Sequence, residues 1–597
     1  MPSQTAHNNL RWADLLMEEC VRHGVTQVYA SPGSRSTPLI LAASRHPEVQ
    51  VSMHVDERAS AFMALGYGRA AGKPAVWITT SGTALANGYP AIVEADLEAV
   101  PMLLLTADRP PELRDTDANQ TIRQDHLFGR RVRWFQDIPT PTSDIAPDWL
   151  LSTLGEAVRR AANGPVHLNC GFRKPLHPEL VETRLREESL AGSGESHSPQ
   201  FAAWLDSNQP FSRASSSGHC DEHVVSLLIE RLQAAEKPLV VLGRLRGAPD
   251  RIRSQAEDLV RSWGAMGVAD IQSQARLGPV LEGFIPNMDA LLYGRAVNHL
   301  KPDLVIQFGA SPVSRRLQEW SSEAEHIVVD DRPRRIDPQS RGGWRIDSNP
   351  VEVMRAVVHA EARNSEIRNA EALGSWRQSW DAVLGAVRAW NVEAFTGQLT
   401  EQETARALIR QLPKEVSLTL ASSNPVRHVD TFVSDQASEV SVPISTNRGA
   451  SGIDGTLATG CGFADGSKTR PVILLGDLAL LHDLTSLSLC GQRGAIVLVI
   501  NNDGGGIFSY LPIREHTDAF EPYFGTPHGR TFRAAAEQFG LDYILPATTP
   551  ELESALATAF GSEDATLIEV QTDREANLVE QRRLLGLLRD AVERARG

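Results

Sequence analysis

Three observations predict an α/β protein made of three doubly wound parallel-sheet domains. Helix-like and strand-like segments alternate along most of the chain, as expected for strands joined by crossover helices. At 597 residues the chain is too long for one core. The first and last blocks also run through the same order of segments, with a different block between them.

The elements follow in order. NNLRWADLLMEECVRHG has helical apolar spacing and stops at a glycine; VTQVYAS then reads as a strand and PGSRS as a turn. KPAVWITTSG, VPMLLLTADRP and GPVHLNCG are further strands, each closing in polar or turn residues, which places a first domain over 1–190. Residues 191–220 become rich in Ser and Gly without periodicity and read as a linker with some local order. A middle α/β domain over 221–360 carries the strands PLVVLG, PDLVIQFG and HIVVDD. No GxGxxG follows any of them, which argues against a dinucleotide site there. A helical, charged connection over 361–400 leads to the last domain, 401–597, whose end, QRRLLGLLRDAVERARG, reads as a surface helix.

The shared pattern lies in ALGYGRAAGKPAVWITTSGTALANGYPAIVEADLEAVPMLLLTADRP and ATGCGFADGSKTRPVILLGDLALLHDLTSLSLCGQRGAIVLVINNDGG. Both run small-residue helix, basic-Pro turn, strand, Gly-containing turn, helix, strand, polar end. Convergence on a common βαβ unit would give this, and so would two related domains able to embrace one ligand.

Composition narrows the function. Hydrophobic residues at 42% and charged residues at 22% are ordinary for a globular protein. The formal charge of −15 argues against nucleic acid as a partner. Anions must then be bound by local arginines, helix N-termini or a metal, against the overall field. Five cysteines without CxxC spacing indicate neither a disulfide frame nor a zinc site, and a reducing cytoplasm is the expected location. No apolar run approaches the roughly 20 residues of a membrane span, and the opening residues lack the order of a signal peptide.

Ligands of open parallel sheets collect at the carboxyl ends of the strands. In PVILLGDLALLHDL and AIVLVINNDGGGIF those ends carry Asp477 and Asn502, on consecutive strands joined by one crossover. A carboxylate, an amide oxygen and a backbone carbonyl form a hard, oxygen-only set that suits Mg²⁺ shared with a diphosphate. The alternative is that Asp477 caps the following helix and that Asn-Asn-Asp-Gly is a plain turn. Asp56-Glu57-Arg58, read alone, is a solvated helix start.

The Gly-Asp and Asn-Asn pair resembles the signature of thiamine-diphosphate-dependent enzymes. SPGSRSTPLILAA, HVDERASAFMALGYGRA, TTSGTALANGYPAIVEA, TADRPPELRDTDANQTI, TNRGASGIDGTLATG and NNDGGGIFSYLP are similar to one group of them. That group is the 2-succinyl-5-enolpyruvyl-6-hydroxy-3-cyclohexene-1-carboxylate synthases of menaquinone and phylloquinone biosynthesis. The resemblance covers 31–122 and 446–512 and is weaker through the middle domain.

The resemblance implies thiamine diphosphate with Mg²⁺ (or Mn²⁺) as cofactors, and the three-domain fold of such enzymes. Asp477, Asn502 and the Gly504 carbonyl would hold the metal, with Gly476, Leu478 and Ile507 also at the cofactor. Glu57 would hydrogen-bond the aminopyrimidine and Ile453 would bend the cofactor. The implied reaction is decarboxylation of 2-oxoglutarate and 1,4-addition of the succinyl unit to isochorismate. For these dicarboxylates Ser34, Arg35, Arg109, Asn119, Gln120, Arg315, Arg316, Ser423, Arg427 and Arg448 match polar substrate contacts, and Phe508 and Leu511 an apolar wall. Of these, Ser34, Arg35, Gln120 and Arg427 join Glu57 as expected catalytic residues. Arginine's planar fork suits carboxylates. A homodimer or homotetramer with sites at subunit interfaces is also implied. There are two departures: Arg315 stands where lysine is expected, and Ser422 where asparagine is expected. An acetohydroxyacid synthase-like carboligase acting on pyruvate would keep Glu57 and Asp477 without needing the arginines. A non-catalytic paralogue would need none of them.

Overall fold

The computed structural model describes residues 2–178, 190–191, 198–213, 221–340, 343–361, 370–434 and 438–596. The chain forms two compact units. One comprises Met1–Ser216, Arg448–Ala450 and Leu457–Lys468; the other comprises Ser217–Asn447, Ser451–Thr456 and Thr469–Gly597.

The first unit is built on a six-stranded sheet of β1 (Gln27–Ala30), β2 (Gln50–Met53), β3 (Ala75–Thr79), β4 (Met102–Asp108), β5 (Trp134–Ile138) and β6 (Pro165–Gly171). The strand order is β2-β1-β3-β4-β6-β5 and every pairing is parallel. All residues of β3, β4 and β6 are buried, because helices cover both faces. On one face Val76, Ile78, Leu103, Leu105, Val166 and Leu168 pack with Leu15, Leu16, Leu150 and Leu154 of helices Pro2–Arg22 and Pro147–Ala161. On the other, Trp77 donates its indole N–H to Ser60 of helix Glu57–Ala71, 2.9 Å away.

Part of the stretch read as a linker belongs to this core. Helix Pro199–Leu205 buries Phe201 and Trp204 in it, and Trp204 donates to Glu19 at 2.7 Å. The parts of that stretch at 192–197 and 214–220 lie outside the described residues, as do 362–369 of the helical connection.

The second unit holds two sheets. The five-stranded one contains β7 (Pro238–Leu242), β8 (Met266–Ala269), β9 (Leu304–Phe308), β10 (Glu325–Val329) and β11 (Trp344–Ile346), in the order β11-β10-β9-β7-β8. The six-stranded one contains β12 (Val416–Leu420), β13 (Ile444–Thr446), β14 (Arg470–Gly476), β15 (Ile496–Asn501), β16 (Asp542–Ile544) and β17 (Thr566–Gln571), in the order β13-β12-β14-β15-β17-β16. Counted from its own first strand, this order is identical to that of β1–β6, and all its pairings are parallel as well. The matched sequence segments occupy the same places, β3 and β4 in one sheet and β14 and β15 in the other. Two related domains account for this better than convergence on a single βαβ unit.

The small-residue helices of the repeat also meet. A Cβ on Gly66 would lie 2.2 Å from the Thr459 carbonyl, and one on Gly462 would lie 2.0 Å from that of Met63. Backbone-to-backbone approach of this kind needs glycine.

The C-terminal helix Arg574–Ala595 is only half a surface helix. Leu584, Leu585, Leu588 and Val592, at helical spacing, are buried against Trp390 and Val387 of helix Asp381–Glu393. The Trp390 indole N–H donates to the Leu584 carbonyl at 2.8 Å.

Candidate active site

In the second unit β14 and β15 lie side by side, so the residues after them converge. Asp477 does not occupy the N-cap position of its helix, which is taken by Gly476. One Asp477 carboxylate oxygen accepts the Leu478 N–H at 2.7 Å. The other reaches the loop after β15, accepting the Gly504 N–H at 2.8 Å, with His528 Nε2 at 3.2 Å. Burial pushes the Asp477 carboxyl up from its ordinary range, and the hydrogen bonds from Gly504, Leu478 and His528 offset this in part. A nearby cation would oppose the same desolvation.

Asn502 is not an ordinary turn residue either. Its Nδ2 donates to Glu401 at 2.7 Å, while its Oδ1 is buried and has no hydrogen-bond partner among the described residues. An orphaned amide oxygen is costly unless something absent from the protein atoms receives it. Gly504 has φ of +130°, and a Cβ there would lie 1.9 Å from the Gly525 carbonyl, so this loop admits only glycine. Among the described residues no group of three or more His, Cys, Asp or Glu is placed to hold a metal. The fitting donor set is therefore the mixed one: a desolvated carboxylate, an unpaired amide oxygen and the Gly504 carbonyl, which suits a hard cation.

Beside this loop is a cavity of about 570 Å³ lined by Arg315, Arg316, Asn424, Arg427, His428, Ile507 and Leu511, among others. The three arginines are not equivalent. Arg316 is paired with Asp289 at 2.9 Å and lies over the Tyr293 ring. Arg315 is largely exposed and pairs with Glu319 at 2.8 Å. Arg427 is anchored on Ser423, whose carbonyl it reaches at 2.5 Å. Ser423 has φ of +73°, unusual for a residue with a Cβ and of the kind that clusters at ligand sites. The Ser422 hydroxyl donates to the Asn447 carbonyl at 2.9 Å, tying two loops together. Phe508 does not line the cavity and packs edge-on against Phe524. Ile453 is partly exposed.

In the first unit a second group gathers after β1, β3 and β4, three adjacent strands. A Cβ on Gly33 would strike the Thr80 side chain at 2.2 Å, and this close approach brings the Arg35 N–H to Thr80 Oγ1 at 3.3 Å. The Arg35 guanidinium donates to the Phe172 carbonyl at 2.7 Å. Arg109 donates to the Ser81 hydroxyl and, at 2.7 Å, to the Asn119 carbonyl. Gln120, at φ +57°, donates to the Ser81 carbonyl at 2.9 Å. Burial, and for Arg35 also the neighbouring Arg109, lowers the pKa of both guanidiniums, while the charge of buried Asp108 opposes this for both. Ser34 is exposed in the turn between β1 and the next helix.

Glu57 opens helix Glu57–Ala71, with Asp56 as its N-cap, so the helix-start reading is correct as far as it goes. Its carboxylate is half-buried and accepts from Asn87 Nδ2 at 3.2 Å. The Arg448 loop is held by buried Glu94, whose two oxygens accept the Gly449 and Ala450 N–H groups at 2.9 and 2.7 Å.

Four of these partners, Glu401, His428, His528 and Glu94, went unnoticed in the sequence. The burial of Glu401 is complete, yet its carboxyl sits below the ordinary range: desolvation raises it, and hydrogen bonds from His428, Asn502 and Asn424 outweigh that. Three of the four occupy helices and His528 an irregular loop, places where a polar residue is unremarkable, and no spacing rule singles them out.

Known proteins resemble this chain along nearly its whole length. Residues 10–127 match the thiamine pyrophosphate enzyme N-terminal TPP binding domain, 195–420 the middle domain of thiamine pyrophosphate enzymes, and 436–570 their C-terminal TPP binding domain. A 2-succinyl-5-enolpyruvyl-6-hydroxy-3-cyclohexene-1-carboxylate synthase of Rubrobacter xylanophilus is 44% identical, with 98% of this chain and 99% of the relative covered. Synthases of the same name from Salinibacter ruber and Chlorobium phaeobacteroides are 42% and 39% identical, each over 98% of this chain and covering 97% and 98% of the relative. The chain belongs to the 2-succinyl-5-enolpyruvyl-6-hydroxy-3-cyclohexene-1-carboxylate synthase family of thiamine pyrophosphate enzymes.

Proposed function

We propose that this protein decarboxylates 2-oxoglutarate and adds the succinyl unit to isochorismate, releasing CO₂ and forming 2-succinyl-5-enolpyruvyl-6-hydroxy-3-cyclohexene-1-carboxylate for menaquinone biosynthesis. The observation that carries this reading is identity of 44% to a synthase of that product over 98% of the chain. Bound thiamine diphosphate supplies the electron sink that lets a 2-oxo acid lose CO₂ and form a new carbon–carbon bond.

The chain's own residues do the rest. Asp477, the Asn502 amide oxygen and the Gly504 carbonyl hold Mg²⁺ or Mn²⁺, and through it a diphosphate. Glu57 exchanges a proton with the aminopyrimidine nitrogen of the cofactor. Arg35, Arg109, Arg427 and Arg448 supply fixed positive charge for substrates that each carry two carboxylates, which a chain of net charge −15 cannot attract by its overall field. Ser34, Asn119, Gln120 and Ser423 orient the substrates, and Ile507 and Leu511 give the cavity an apolar wall. The active form is a cytoplasmic homodimer or homotetramer with sites completed between subunits. Among the described residues no helix is long and apolar enough to cross a membrane.

A substrate panel tests the choice of reaction. CO₂ release from 2-oxoglutarate and not from pyruvate is expected; release from pyruvate and not from 2-oxoglutarate would replace this reading with an acetohydroxyacid synthase-like one.

A further inference from the structure

We propose that Glu401 is a positioning residue for Asn502, fixing which end of that carboxamide faces the cation. The inference rests on reading Asp477, Asn502 and Gly504 as the cation's ligands. Glu401 is the first residue of helix Glu401–Arg410 and is 1% exposed. Its Oε1 accepts Nδ2 of Asn502 at 2.7 Å and of Asn577 at 3.0 Å. Its Oε2 accepts Nδ2 of Asn424 at 3.0 Å and has His428 Nε2 at 2.6 Å.

A carboxylate only accepts, so each amide around it must present nitrogen to it and send its oxygen elsewhere. The Asn577 oxygen turns back to the Glu401 N–H at 3.1 Å. Among the described residues the Asn502 oxygen has no such outlet and is left buried without a partner. That is the state a cation ligand needs: an oxygen already stripped of water and held in one orientation. Turned over, the same amide would direct its NH₂ at the cation. Glu401 also grips both ends of the turn that carries Arg427, through Asn424 and His428, and all three of these residues line the cavity. One carboxylate thus ties the cation loop to the helix facing the substrate cavity.

The test reads metal binding rather than turnover. Binding of Mn²⁺ to the full-length protein, with saturating thiamine diphosphate, is followed by electron paramagnetic resonance. Wild type is compared with Glu401→Gln, Asn502→Asp, the double variant and Asp477→Ala. Glu401→Gln turns an amide NH₂ toward groups that are themselves donors, and Mn²⁺ affinity is expected to fall by about 10- to 100-fold, the usual scale for losing a group that orients a metal ligand. Asn502→Asp is expected to weaken binding too, although it adds a better cation ligand, because it sets a second carboxylate against Glu401. In the double variant the introduced amide donates to the introduced carboxylate, and binding is expected to be tighter than in either single variant. A purely structural role would make the losses add.

A Glu401→Gln protein that binds Mn²⁺ like wild type, or a double variant no tighter than the better single one, would overturn the proposal. Undiminished binding by Asn502→Asp would overturn it even if Glu401→Gln did not fold. The premise fails separately: wild type binding no Mn²⁺ sinks the cation site itself. Binding lost in Asp477→Ala but kept in Glu401→Gln sinks only the role of Glu401.

Discussion

Glu57 and Asp477 are both carboxylates on helix starts, yet the proposed reaction asks different things of them. Glu57→Gln removes a proton carrier and keeps a hydrogen-bonding side chain. Thiamine diphosphate affinity should stay within a few-fold while turnover falls by about 10²–10⁴-fold, the usual worth of a general acid–base group. Calorimetric titration beside steady-state kinetics checks this, and near-normal turnover would contradict it. Asp477→Ala should instead fail at cofactor binding, with activity partly restored as Mg²⁺ and thiamine diphosphate are raised. At this scale the sequence discloses residues whose place is marked by a strand ending, such as Asp477, Asn502 and Arg109. It conceals those whose importance comes from long-range partners. Glu401 sits in LTEQE, where Thr400 caps the helix by accepting the Glu403 N–H at 3.2 Å. The same letters would describe any solvated first turn.

At the scale of elements, β6 carries a histidine that makes the first unit sensitive to acid. His167 is fully buried, and its Nε2 lies 2.7 Å from Thr106 Oγ1, which donates its own hydrogen to Asn169. The imidazole is therefore the neutral donor to Thr106, and burial lowers its pKa to about 3. With a folded pKa below the ordinary 6.5, the stability it contributes is whole above pH 6.5 and is lost as pH falls from there toward 3. The slope is at most about 1.4 kcal/mol per pH unit. His167→Gln keeps a donor for Thr106 and cannot titrate, so its stability should fall less steeply over that window in chemical-denaturation profiles. Parallel profiles would contradict the assignment. Elements also differ in how well apolar runs disclose them. In the first two sheets the runs locate β1, β3, β4, β6, β7, β9 and β10, and miss β2, β5, β8 and β11. The missed strands are the four sheet edges, which are short or only half-covered and so lack a continuous apolar stretch.

For the whole molecule, the relation of the first and last blocks is the feature most plainly written in the sequence, because each repeat brings its own turns and its own small-residue helix; the strand order they share is seen only in the sheets. Oligomeric state is not written there, since an interface needs no local periodicity. If sites are completed between subunits, inactive Glu57→Gln and Asp477→Ala proteins should complement each other. After the subunits are mixed and allowed to exchange, half of the dimers are mixed, and each mixed dimer carries one intact site. Activity should recover to about a quarter of wild type. No recovery after confirmed exchange would place each site within one chain.

The most direct measurement is product formation from 2-oxoglutarate plus isochorismate, with and without thiamine diphosphate and Mg²⁺. The account predicts 2-succinyl-5-enolpyruvyl-6-hydroxy-3-cyclohexene-1-carboxylate and CO₂ in equal amounts when both are supplied, and neither when thiamine diphosphate is withheld. Cofactor-saturated protein that consumes neither substrate, or product that forms equally well without thiamine diphosphate, would contradict it.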